Sequence, residues 1–233
     1  MDQNRRTAVA AGIFFIVATT ASLAGDAVLG SALEGPEFLS GLYMAGNGVL
    51  VSALLSFVAA CTSAAIAMAL YPVLRKFSEG WALASVGFRV IEGMFYGVGT
   101  LCLLTMFALS RQAAGAGGQM VQYAQALGHV LLAAKDLAGF VLGVMAFCIG
   151  AASYYYVFYR SNLIPRWLSA WGLIALVLLF SGVMITLFDG EPYSVSGGLI
   201  FLALPIALQE MVLAVWLIAK GFNPSAAPSA SGD

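Results

Sequence analysis

Charge is what this chain has least of. Lysine plus arginine number 10 and aspartate plus glutamate 11 in 233 residues, so charged side chains make up 9% against 61% hydrophobic, and mean hydropathy is +0.94. A typical soluble domain carries roughly 25% charged residues, so composition excludes one here and makes lipid the solvent. The scarcity of charge also excludes a nucleic-acid partner, because no basic patch exists to neutralise phosphates. Histidine occurs once, at His129, and the three cysteines, Cys61, Cys102 and Cys148, stand singly in apolar stretches without a CxxC spacing. These absences exclude multi-histidine metal centres and a disulfide framework. No metal or other cofactor is expected, and the cysteines read as small buried hydrophobes.

Long apolar runs stand where the charge is missing. A spanning helix needs ~20 apolar residues, and the runs 7–30, 44–74, 81–110, 130–159, 164–188 and 196–220 all qualify. The predicted fold is all-α, an integral membrane bundle of six transmembrane helices forming one domain over 1–222. A tail over 223–233, "NPSAAPSASGD", is expected to be disordered. The basic residues gather at alternate gaps, Arg5 and Arg6, then Arg75 and Lys76, then Arg160 and Arg166, then Lys220. By the positive-inside rule those gaps and both termini should be cytoplasmic. The first run has the basic start and small residues of a secretory signal, but it is longer than a usual signal core and fits the charge alternation, so it reads as a span.

Local features refine the layout. Tyr154, Tyr155, Tyr156 and Tyr159, with Trp167 and Trp171, flank the turn "RSNLIPR" and are expected to anchor it at headgroup depth. The spacings Gly93 to Gly97 and Gly139 to Gly143 permit close helix packing. The segment "QAAGAGGQMVQYAQALGH" reads as an outer loop carrying a short interfacial helix.

The few charges inside the runs are the candidate functional residues. Rising ~1.5 Å per residue, Glu92 and Glu210 both reach about the middle of the bilayer. Arg89 lies three residues before Glu92, hence on the same helix face. Ionised groups at that depth cost roughly 2.5–3.5 kcal/mol each on insertion scales and should point inward to partners. The expected arrangement is a triad in which Arg89 bridges Glu92 and Glu210. Gln209 joins it only if it turns inward, because adjacent helix positions differ by about 100°. Pro205 removes a backbone donor and should kink the sixth span. A second set, Asp26, His129, Lys135 and Asp136, falls at the outer mouth. There Lys135 should pair with Asp26 across helices, since neighbours along a helix do not face one another.

The stretches "RVIEG", "KDLAGFVLGVMAFCIGAASYYYVFYRSNLIPRWLSAWGLI" and "PIALQEMVLAVWLIAKGF" resemble the bacterial membrane family "domain of unknown function 4386" over nearly the whole chain. The resemblance implies a bacterial cytoplasmic (inner) membrane protein and no particular reaction. Two functional classes fit the residues. One is binding or transport of a small hydrophobic or cationic ligand, with Glu92 and Glu210 as counter-ions. The other is a membrane enzyme acting on a lipid or isoprenoid, where one buried carboxyl protonates substrate and the second stabilises positive charge. A third reading gives the Arg/Glu cluster only a packing role. Membrane lipids are the expected partners, with a small hydrophobic molecule the candidate ligand.

Overall fold

The computed structural model describes residues 3–115, 117–189 and 198–226. Among them are eight α-helices and no strand: α1 (Gln3–Leu29), α2 (Phe38–Ala45), α3 (Asn47–Leu74), α4 (Glu79–Ala113), α5 (Gln119–Asp136), α6 (Val144–Ser161), α7 (Arg166–Asp189) and α8 (Gly198–Ala219). A π-helical segment, Leu137–Gly143, joins α5 to α6 without a break, so Gln119–Ser161 is one rod of 43 residues. With α1, α3, α4, α7 and α8 it supplies six helices long and apolar enough to cross a membrane.

Two boundaries differ from the sequence reading. The polar stretch read as an outer loop with a short interfacial helix is helical from Gln119 onward, and that helix continues into the fourth span. Its Ala124 and Gly128 are buried, Gly128 against Phe38 and Leu39 of α2, so packing overrides weak local hydropathy. The short helix α2 ends at Gly46, whose φ of 55° only glycine adopts without cost, and the chain turns there into α3.

The spans pack in chain order around a ring: α1 on α3, α3 on α4, α4 on the fourth span, then α7, α8 and back to α1. An even number of spans lets every neighbouring pair run antiparallel, the closing pair included. Hydrogen bonds tie the basic end together. Lys76 Nζ donates to Asn4 Oδ1 at 3.3 Å, Arg5 Nη1 donates to Leu217 O at 2.9 Å, and Asn223 N donates to Leu163 O at 2.8 Å. Arg5 thereby caps the C-terminal carbonyls of α8, a place where both the hydrogen bonds and the positive charge are favourable. Asn223 belongs to the stretch read as tail; residues 227–233 lie outside the described residues, as does Glu191.

The burial pattern is that of a protein in lipid. Leu54, Phe57, Leu83, Met94, Leu101, Ile174, Val177, Phe201 and Val215 are exposed on the outside of the ring. Along α4 the buried positions Ser85, Arg89, Glu92, Gly99, Leu103, Met106 and Ser110 recur at helical spacing and mark its inner face. Inside, one apolar core contains Ile66, Leu70 and Leu74 of α3 with Ala82 of α4. A second, toward the other end, contains Val49 and Ala53 of α3 with Leu103, Met106 and Phe107 of α4. On both helices buried polar residues stand between the two cores: Ser63 on α3, Arg89 and Glu92 on α4.

Candidate functional site in the bundle interior

Arg89 is 2% exposed and Glu92 3%. Arg89 Nη1 lies 3.1 Å from Glu92 Oε2, an ion pair one helical turn long. From α3, Ser63 Oγ donates to Glu92 Oε1 at 2.8 Å, and the Ser63 carbonyl accepts from Arg89 Nε at 3.3 Å. Ser63 therefore ties both charges to the neighbouring helix through its side chain and its backbone. The opposite face of the guanidinium lies over the Phe147 ring, 4.8 Å from its centroid, a favourable contact for a desolvated cation. Gly150 makes this fit possible, because a Cβ there would stand 3.0 Å from Arg89 Cγ and 3.2 Å from the Arg89 backbone nitrogen.

The second half of the cluster is built on α6 and α8. Gln209 is fully buried; its Oε1 accepts from the Tyr155 hydroxyl, and its Nε2 donates to the Leu168 carbonyl of α7 at 3.0 Å. Glu210 is half-buried, and its hydrogen bond is a long one, 3.5 Å, from the Tyr154 hydroxyl. The two tyrosine rings lie 4.6 Å apart at 55°, and Phe15 of α1 meets Tyr154 edge-on at 6.3 Å.

The expected triad is thus corrected. Arg89 pairs with Glu92, while Glu210 has no ion pair among the described residues and takes the Tyr154 hydroxyl instead. An i,i+3 partner on its own helix gives Arg89 an ion pair without reaching across the ring. Gln209 does turn inward, and α8 runs continuously through Pro205. Tyr154 and Tyr155, read as interface anchors, are fully buried, whereas Tyr156 and Tyr159 are about 40% exposed. The fourth span lies between α4 and α7 in the ring, so two adjacent faces of α6 are covered and neighbouring tyrosines can both point inward. The run Phe147, Ala151, Tyr154, Phe158 has the spacing of a buried helix stripe, and this was the available signal.

The outer set pairs differently from the sequence reading. Lys135 Nζ lies 3.3 Å from Asp136 Oδ1, so the pair is between sequence neighbours and not with Asp26. Both side chains are partly exposed, and the long lysine chain folds back where the π-helical segment begins at the next residue. Asp26 is exposed and has no ion pair among the described residues, and His129 is exposed with its ring edge-on to Phe38 at 5.2 Å. Among the described residues no group of three or more metal-ligating side chains occurs.

An apolar outer surface, six spanning helices closed into a ring and a charged layer between two internal cores define a multi-pass membrane protein of the helix-bundle class. More particularly, the chain belongs to the family described as Domain of unknown function (DUF4386), whose model matches residues 10–221. No curated protein and no solved structure matches the chain.

Proposed function

We propose that this protein binds a small hydrophobic or cationic ligand from within the bacterial cytoplasmic membrane, with Glu210 as the counter-charge. The observation that carries this reading is that Glu210 lies inside a membrane span and, among the described residues, has no ion-pair partner and only a long hydrogen bond from Tyr154. A carboxylate at that depth is costly unless it has work to do. Its setting beside the buried Tyr154 and Tyr155 rings supports a cation in particular, because aromatic faces attract positive charge, most strongly when desolvated. The contact ion pair of Arg89 is with Glu92 rather than with Glu210.

The same geometry weighs against acid/base chemistry on a lipid. That chemistry needs both carboxyl groups available, and Glu92 is tied by Arg89 and Ser63. The Arg89, Glu92 and Ser63 unit supports a packing role for that half of the cluster.

Tetraphenylphosphonium, a lipophilic cation, is a suitable probe. Added to the detergent-purified protein it should raise the melting temperature with increasing concentration, as any ligand of the folded state does. The Glu210→Gln variant should show no such rise. The reading fails if the wild type is not stabilised or if the variant is stabilised equally.

A further inference from the structure

A different site lies at the basic end of the ring. Between the start of α4, the end of α6 and the start of α7 is a cavity of about 630 Å³, lined among others by Ser78, Trp81, Tyr156, Tyr159, Arg160 and Arg166. Arg160 and Arg166 are exposed, and neither is ion-paired among the described residues. Glu79, the one described carboxylate at this end, therefore leaves both positive charges unanswered. Ser78 precedes α4 but makes no side-chain cap, so its hydroxyl remains a free donor. The rings add a second kind of chemistry. Trp81 and Tyr156 pack at 5.0 Å, Arg166 lies 5.9 Å over the Tyr159 ring, and all three rings are roughly half exposed.

We infer that this cavity binds the phosphate headgroup of an anionic phospholipid. Two free guanidinium groups and a serine hydroxyl suit a phosphate diester, since arginine presents forked donors to its oxygens. Half-exposed tryptophan and tyrosine are the side chains that settle where headgroups meet acyl chains. Below them the side of α4 that carries Trp81 continues with Ala84 and Phe88, both partly exposed and apolar, which gives an attached acyl chain a surface to follow. A soluble phosphate compound would use the two arginines but gain nothing from the rings and the apolar wall, so the arrangement favours a lipid. Basic pockets between spanning helices are a general means of holding such headgroups.

The test is native mass spectrometry of the full-length protein released from micelles containing equal amounts of phosphatidylglycerol and phosphatidylcholine. At about 1 kcal/mol per basic side chain, two arginines should favour the anionic lipid by roughly tenfold or more in the wild type. R160Q/R166Q should retain both lipids about equally. Should the double variant not fold, R160Q and R166Q separately each lower the preference. Equal retention of the two lipids by the wild type, or an unchanged preference in the variants, overturns the proposal. So does displacement of the lipid by millimolar inorganic phosphate, which would assign the cavity to a soluble phosphate. Tetraphenylphosphonium binding at Glu210 is read separately and is indifferent to these substitutions.

Discussion

A guanidinium held between two apolar cores is tolerable only when its charge is answered at contact distance, and Arg89 finds that answer in Glu92, with a further hydrogen bond from Nε to the Ser63 carbonyl. The coupling is therefore local. Arg89→Leu should destabilise the protein by about 3–5 kcal/mol, because it strands a buried carboxylate. Adding Glu92→Gln should recover much of that loss, whereas adding Glu210→Gln to Arg89→Leu should recover little. Thermal melts of the three variants in one detergent check this, and equal recovery by either glutamine would mean that all three charges form one network. The Arg89 and Glu92 pair was readable from the sequence, since opposite charges three apart on a helix have few other places to go. The partner of Glu210 was not, because it depends on which way α6 presents its row of tyrosines. An aromatic run beside a basic turn is consistent with either an interfacial or an interior position.

At the level of elements, small residues decide how near two spans can come. Gly150 faces Arg89 and Phe88, Gly143 meets the Tyr96 ring and Gly93 meets the Ala60 carbonyl, while Gly97 has open space around it. Of the two glycine pairs visible in the sequence, then, one member of the first pair is free of close contact. Gly150→Val should cost about 1–3 kcal/mol by forcing α4 from α6. Gly97→Ala should cost nothing and add up to about 1 kcal/mol through better helix propensity. Parallel melts of the two variants separate close approach from mere glycine content. The spans 44–74 and 81–110 were legible because hydropathy and helix length coincide there. That Gln119 to His129 continues the fourth span was not, because its small and polar residues pack on α2 and α4, a tertiary contribution that no local pattern carries.

For the molecule as a whole, the alternation of basic gaps predicts that the end holding Arg5, Lys76, Arg160 and Lys220 faces the cytoplasm. Reporter fusions after Lys76 and after Glu191 should read cytoplasm and periplasm respectively, and the same compartment for both would refute that orientation. Six spans were countable from composition, but their order around the ring was not. That order rests on contacts such as Gly12 against Ala214 and Ile218, which lie far apart along the chain. Such separation gives assembly a timetable. Arg5 and the α8 carbonyl it caps are 212 residues apart. At ~5–20 residues per second of synthesis, the first helix waits on the order of 10–40 s in the bilayer before its last neighbour exists. Through that interval Arg5 has no carbonyls of α8 to bind and Gly12 has only lipid beside it. The nascent bundle is an open arc with two unsealed flanks, and a ribosome that stalls before α8 leaves it so, accessible to quality-control proteases and to the flanks of other unfinished chains.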